Sequence, residues 1–330
     1  MHRLQYLKEE QDKGIPIYVC YGGGVDSTAM LCALKHAGIV PDLITMANTG
    51  GEKPETYQYV RYFSAVIKVW GFPEVSWCKK IPTDRVPYTT LEGNCTDNET
   101  LPSLAFGMKS CSIKWKQVPQ DYFVKGCLSG PNKCDPHPTW VRAQALGVKP
   151  IKLIGYDAGK ADIRRSKRLK SDDPWFRYEY PLQILGWERE QCMEAIAAEG
   201  LPVPIKSACF YCPASKKWEL WWLAGTHPHL LERSLEMEYK ALTGHHSRFD
   251  EIEFGDSWWN LVQGATSFPS SNTTVGLGRS MSWNQWAFTN GLVDKNRKFI
   301  GDRAECLRMS DELRGKGGNA ADQRGCPIAP

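Results

Sequence analysis

The feature that most constrains the fold is a glycine run placed where a short apolar segment gives way to a helix. Ile15 to Cys20 reads as a first strand, Gly22-Gly23-Gly24-Val25-Asp26-Ser27-Thr28 comes next, and a helical run from Ser27 to Ala37 can end at Gly38. Glycines at such a junction let successive backbone N–H groups face one point, and the helix end adds partial positive charge, so an anion is favoured there. Ser27 and Thr28 add hydroxyl donors. A tight strand-to-helix turn also accepts glycines, but the order Gly-Gly-x-Asp-Ser is more demanding than a turn. It is neither the Gly-Lys-Ser or Gly-Lys-Thr ending of a Walker loop nor the spaced Gly-x-Gly-x-x-Gly of dinucleotide folds.

Beyond Gly38 the chain alternates strand-like and helical runs, the pattern of a doubly wound, mostly parallel α/β sheet. Ala29, Met30, Leu31, Ala33 and Leu34 surround the first helix, which is therefore expected to pack on the sheet. Leu43 to Ala47 reads as a second strand, Pro54 to Val69 as a helix entered through proline, and Val75 to Cys78 as a third strand. Residues 83 to 140 show no clear period and read as a Cys-rich insertion or active-site loop region. Regularity returns with strands at Ile151 to Ile154 and Trp175 to Tyr180, then a helix from about Glu188 to Glu199 ended by Gly200. The expected division is a nucleotide-binding α/β domain over 1–215 and an accessory extension, mostly helical and irregular, over 216–330. Trp218, Trp221, Trp222, Trp258, Trp259, Trp283 and Trp286 crowd the extension, as core or as stacking surface, and a frayed tail is expected from Gly315.

No apolar run is long enough to span a bilayer, and Met1 to Gly14 carries charge without an apolar signal core, so a soluble cytoplasmic protein with no membrane partner is expected. A net charge of +4 neither requires nor excludes nucleic acid. The stretch Lys160 to Lys170 holds Lys160, Arg164, Arg165, Lys167, Arg168 and Lys170 against Asp162, which reads either as a solvated face or as a phosphate or nucleic-acid site. Twelve cysteines in a long chain point to metal or redox work rather than to disulfides. Cys20 and Cys32 lie on apolar segments and read as core. Cys209-x-x-Cys212 before Pro213 can chelate a metal or cluster, and Cys127, Cys134 and His137 could join it or form a separate zinc site.

The glycine loop resembles the Ser-Gly-Gly-x-Asp-Ser signature of the PP-loop ATP pyrophosphatase superfamily, with Gly22 where the first serine usually lies. Ala47-Asn48-Thr49-Gly50-Gly51-Glu52-Lys53-Pro54-Glu55-Thr56 is similar to the Asp-Thr-Gly-x-x-x-Pro-Glu-Thr stretch of the phosphoadenylylsulfate (PAPS) reductase-like branch. Pro181-Leu182, Trp187, Leu201-Pro202 and Cys209-Phe210-Tyr211-Cys212-Pro213 resemble that branch's later motifs in order, so the likeness spans about residues 15 to 215. It implies an adenine nucleotide α-hydrolase-like sheet, ATP and Mg2+ as ligands, and nucleotide contacts from Gly22, Gly23, Gly24, Val25, Asp26, Ser27, Thr28, Asn48, Thr49, Gly50 and Gly155. Where the branch has Gly-x-Arg, this chain has Gly155-Tyr156-Asp157. The stretch Ser110 to Pro119 resembles the family's upstream cysteine, lysine and proline segment, which implies Cys111, Cys209 and Cys212 as ligands of a 4Fe-4S cluster, with Zn2+ as the alternative and Cys95, Cys127, Cys134 or Cys306 open as a fourth.

The activity implied is cleavage of ATP between the α and β phosphates to adenylate a substrate, with Asp26 and Ser27 at the reacting groups. Sulfur transfer would come after it, to DNA, tRNA or a nucleobase, with a sulfur-donor protein as a further partner and Arg164, Arg165, Lys167 and Arg168 neutralising phosphates. A true PAPS or adenylylsulfate reductase is the first rival; it needs a Glu-Cys-Gly-x-His tail, and Glu305-Cys306-Leu307-Arg308 lacks the glycine and histidine. A nucleotide- or nucleic-acid-binding module without turnover is the second. The sequence leaves the acceptor and the oligomeric state open.

Overall fold

A computed structural model describes residues 2–108, 110–127, 133–169, 173–244, 276–278 and 282–316. Along the chain, α1 (Gln5–Asp12) precedes β1 (Ile17–Cys20), α2 (Val25–His36), β2 (Leu43–Asn48), α3 (Pro54–Val69) and β3 (Val75–Lys79). The next stretch holds α4 (Leu91–Asp97), α5 (Ser110–Ser112), a π-helical turn over Ile113–Gln117, α6 (Val118–Lys125) and α7 (Pro138–Ala145). Then come β4 (Ile151–Ile154), α8 (Lys160–Ser166), β5 (Arg177–Glu179), α9 (Pro181–Leu185) and α10 (Arg189–Ala198). The extension is helical among its described residues: α11 (Lys217–Thr226), α12 (Pro228–Gly244), α13 (Trp283–Thr289) and α14 (Arg303–Lys316).

The five strands form one parallel sheet in the order β3-β2-β1-β4-β5. Strand alternation divides its side chains between two cores. Ile17 and Val19, Ile44 and Met46, and Ile151 and Leu153 face one core with α2, α3 and α10; Tyr18 and Leu43 face the other with Val124 of α6 and Trp140 of α7. α2 is apolar around most of its circumference because it lies between the sheet and α10. Burying each Leu or Met of that helix contributes roughly 1.5–3 kcal/mol.

Several boundaries differ from the sequence reading. α2 begins at Val25, two residues before the apolar run, because Gly24 is the extended N-cap (φ −107°, ψ 176°) and Val25 and Asp26 already carry helical backbone. Residues 83 to 140 hold several short helices among their described residues, too short, and too interrupted by Pro and Gly, to show a period. Gly315 and Lys316 still belong to α14, so the expected tail starts too early, and 317–330, Lys170, Trp258, Trp259 and Cys326 lie outside the described residues.

A third core joins segments from both sides of residue 215. Leu91, Cys95, Leu101, Trp115, Phe210 and Tyr211 pack with Leu220, Leu231, Leu235 and Cys306. Trp221, Trp283 and Trp286 are buried in it, the first and last meeting edge to face at 5.2 Å, so these three tryptophans are core rather than stacking surface. Glu238 of α12 is fully buried beside this core and accepts hydrogen bonds from Leu277 N, Ser282 Oγ, Trp283 N, Asn284 N and Asn284 Nδ2. Burial raises its pKa, while those donors oppose the rise. Replacing it leaves buried donors without an acceptor. Glu238→Ala is therefore expected to lower unfolding stability by on the order of 3 kcal/mol, read as a lower urea midpoint at unchanged slope; a loss below about 1 kcal/mol would show that this carboxylate does not anchor α13.

Candidate functional site

Neighbouring β1 and β4 run to opposite sides of the sheet after their C-terminal ends, and a crevice at such a reversal is where parallel α/β sheets bind ligands. The glycine loop follows β1 there. Gly23 adopts φ +68°, and a Cβ at that position would stand 2.8 Å from Val60 Cγ2, so both conformation and space require glycine. Gly24 caps α2 without any side-chain cap, which leaves the first-turn amides facing the loop. From the other side of the crevice, Gly155 lies so close that a Cβ would meet Ser27 Cα at 2.7 Å and Ser27 N at 2.9 Å.

The hydroxyls expected to meet phosphate are used within the loop. Ser27 Oγ accepts from Gly22 N at 3.1 Å and donates to Gly24 O at 3.2 Å. Thr28 Oγ1 donates to Gly24 O at 2.9 Å and pairs with Tyr21 Oη, entirely buried. Both brace the turn, while the amides and Asp26 form the open side.

Asp26 is met by two carboxylates that the sequence reading left out of the site. Its oxygen lies within 4.8 Å of those of Asp157, at the exit of β4, and Asp162, in the first turn of α8. Arg189, the first residue of α10, donates Nη1 to Asp26 Oδ1 at 2.8 Å, and Arg165 donates to Asp162 Oδ1 at 2.7 Å. Burial raises the pKa of Asp26, Arg189 opposes that rise, and Asp157 and Asp162 add to it; burial likewise raises that of Asp162. Of the basic run, Arg165 is thus engaged with Asp162, whereas Arg164, Lys167 and Arg168 are exposed on or just beyond α8.

A second constellation adjoins the loop. Gly24 is so near Ser207 that a Cβ would stand 2.9 Å from its Oγ, and two residues later Cys209 opens the Cys-x-x-Cys turn, closed by Cys212 N donating to Cys209 O at 3.0 Å. That turn lies on the segment following β2. Phe210 N donates to Gly51 O at 2.8 Å, Glu52 and Cys209 form an antiparallel bridge, and Thr49 Oγ1 contacts Cys209 Sγ at 3.3 Å. Gly50 and Gly51 are required because Thr90 and the Tyr211 ring press on them from either side. Asn48 Oδ1 accepts from Gly50 N and from Tyr57 Oη. The side chains of Asn48 and Thr49 therefore shape the thiol loop.

Burial pushes the Cys209 thiol up to about 12, with Glu52 adding to the rise and Lys116 opposing it. Cys212 is raised by burial as well, and Cys111 packs against the same core. Lys116 Nζ donates to the buried Glu52 Oε1 at 2.8 Å. Among the described residues, no three potential ligand atoms around the thiols lie within 4.8 Å of one another. Cys127 and Cys134 instead bridge each other through backbone hydrogen bonds, and His137 Nδ1 caps α7 at Thr139 N. Cys95 is buried beside Tyr211 in the third core.

Glu52, Lys116, Asp157, Asp162 and Arg189 complete these sites. Asp157 carried a signal as the departure from Gly-x-Arg, and Lys116 lay in the Ser110 to Pro119 stretch; the others converge from separate elements.

No protein-family model and no curated protein matches the chain. Among solved structures, it is similar to phosphoadenylyl-sulfate (PAPS) reductase from Candida auris in a phosphate complex, at 14% identity and a TM-score of 0.38, over 61% of this chain and 81% of that one.

Glu219 of α11 holds the two loops of the thiol site together. It is 2% exposed and pairs with Lys53 at 3.4 Å and Lys206 at 2.8 Å, residues that flank Glu52 and precede Cys209. Burial raises its pKa, but Lys53 and Lys206 outweigh that and the net shift is downward from 4.5. A folded-state value below the unfolded one makes ionised Glu219 stabilising above pH 4.5, a contribution lost as pH falls through the folded value. Glu219→Gln is expected to cost on the order of 2 kcal/mol at pH 7 and progressively less below pH 4.5. Urea midpoints of both proteins across that range test it; a gap that stays constant down to pH 3 contradicts the pairing.

Proposed function

We propose that this chain is an ATP-dependent adenylating enzyme that cleaves ATP between its α and β phosphates and passes the activated substrate to sulfur transfer. The observation that carries this reading is the uncapped N-terminus of α2 behind its glycine loop, opposite a convergent set of three carboxylates at the sheet's crevice. Gly23, Gly24 and Val25 offer backbone amides to the phosphates, while the Gly22 amide braces Ser27 Oγ; oxygen donors at Asp26, Asp157 and Asp162 fit Mg2+, which would neutralise phosphate charge when bound. Arg189 orients Asp26. A substrate oxygen attacks the α-phosphorus, the bond to the bridging oxygen breaks, and pyrophosphate leaves with the electron pair while the loop amides stabilise its charge. A sulfur or nitrogen nucleophile then displaces AMP from the adenylated substrate.

Cys111, Cys209 and Cys212, which belong to or pack on one core, would hold the metal centre, a 4Fe-4S cluster or, as the alternative, Zn2+. Arg164, Lys167 and Arg168, exposed beside the crevice, suit a DNA or tRNA acceptor, and a sulfur-donor protein would complete the set of partners. Among the described residues no helix is long and apolar enough to cross a membrane.

Against the reductase alternative stands Cys306. It is fully buried in α14 with burial pushing its thiol up to about 11, a poor position for attack on a bound sulfonucleotide. The test incubates anaerobic protein with labelled ATP and a panel of DNA and tRNA, following AMP and pyrophosphate. Asp26→Ala is expected to reduce their release by on the order of 10²-fold or more with the unfolding midpoint retained, whereas Cys209→Ser loses metal and keeps the release. Undiminished release by Asp26→Ala removes that residue from the site. Sulfite from PAPS without pyrophosphate from ATP replaces this reading with the reductase.

A further inference from the structure

We propose that Tyr156 and Tyr180 form a stacking platform for an unpaired nucleobase of the acceptor; this deepens, and rests on, the reading of the crevice as an adenylating site with a nucleic-acid acceptor. Tyr156 stands two residues beyond the end of β4 and Tyr180 directly follows β5, so both lie at the carboxyl edge of the sheet, as the glycine loop does. Their rings are parallel to within 3°, with centroids 5.8 Å apart, the geometry of an offset stack. Both are half-buried, yet neither belongs to or packs on any of the three hydrophobic cores. Tyrosines that serve the fold do join a core, as Tyr18, Tyr21 and Tyr211 show. A pair of parallel rings outside any core suits a further flat ring, and every base has such a face.

The surroundings select nucleic acid among aromatic ligands. Tyr156 lies between Gly155, which packs on Ser27, and Asp157 of the carboxylate group, so a base on the platform adjoins the reacting end of the crevice. Burial raises the Tyr156 pKa, with Arg165 opposing the rise and Asp162 adding to it, and burial pushes Tyr180 up to about 12, so both phenols are neutral at pH 7 and repel no phosphate. α8 lies in the crossover between the strands that carry the two rings. Arg164 on it, and Lys167 and Arg168 just beyond it, are exposed and have no carboxylate partner among the described residues, whereas Arg165 is held by Asp162. Cations for phosphates beside rings for bases are what a single strand needs; a closed duplex offers phosphates but no free base face. Gln183 of α9 ties the parts together: it donates Nε2 to Asp157 O at 3.1 Å, accepts from Ser166 Oγ at 2.9 Å, and its amide donates to Tyr180 O at 3.0 Å. The platform therefore needs little ordering on binding.

The test measures fluorescence anisotropy of the full chain, at fixed salt, with single-stranded DNA and RNA oligonucleotides, with fully abasic strands of the same length, and with blunt duplexes. Wild type is expected to bind base-bearing strands about tenfold or more tightly than abasic strands or duplexes. Tyr156→Ala and Tyr180→Ala should fold, by their urea midpoints, and lose about tenfold in affinity for base-bearing strands while binding abasic ones as wild type does. Tyr156→Phe and Tyr180→Phe, which keep the ring, should bind as wild type, and Tyr156→Leu and Tyr180→Leu, bulky but not flat, repeat the measurement should an alanine variant unfold. Equal binding of base-bearing and abasic strands by wild type, tighter binding of duplex, or undiminished binding by the alanine variants overturns the platform. Loss of ATP binding in those variants with oligonucleotide affinity intact overturns it too, by giving the rings to the adenine of the nucleotide. Pyrophosphate release from ATP, followed in parallel, separates the two readings: release without base-dependent binding removes the platform and leaves adenylation standing, and base-dependent binding without release does the reverse.

Discussion

The close approach of Gly155 to the first turn of α2 is the contact on which the rest of the crevice depends. With no Cβ at Gly155, the exit of β4 can lie against Ser27 and Asp26 backbone, where any side chain would need a place already taken. That contact brings Asp157 and Asp162 to Asp26, and it fixes the opposite wall of a turn whose own geometry is set by Gly23 and by the Ser27 and Thr28 hydroxyls. The chemistry assigned to the crevice needs little motion from the loop itself: its hydrogen bonds are closed before any ligand arrives.

The phosphate loop and the thiol turn are built from one continuous set of short-range fits. Gly24 packs on Ser207, Cys209 contacts Thr49, and Gly50 and Gly51 fill the space between Thr90 and Tyr211. Each neighbour leaves room for a glycine and nothing larger. A displacement in one turn would therefore be felt in the other, so the glycine loop and the thiol turn share one mechanical frame. Glu219, with Lys53 and Lys206, closes that frame from beneath with buried charge.

The sheet and its first helices were legible because they follow simple periods: apolar strands bounded by Gly or Pro, and a helix apolar all round, as a helix between sheet and α10 must be. The glycine turn between β1 and α2 was legible because its residues are contiguous. The short helices between 83 and 140 were not, since segments of seven or eight residues such as α4 and α6 show too little period to separate from loop. Asp162 and Arg189 reach Asp26 from two further elements, a convergence decided by topology and not by spacing along the chain. Glu52 carried no role in the sequence because its burial comes with the bridge to Cys209, a segment remote along the chain.

The bridge between Glu52 and Cys209 also sets an order of assembly. Loop closure over such a separation carries a large entropic cost, and contacts of high sequence separation form late in folding. As the chain emerges during synthesis, β1 to β3 can collapse onto α2 and α3 long before residue 209 exists, and the core that receives Phe210 and Tyr211 waits for α14 as well. Until then the segment from Thr49 to Glu52 lacks its Cys209 and Phe210 partners. Cys209 and Cys306 share one core, so a nascent chain interrupted before α14 would expose apolar surface and thiols together.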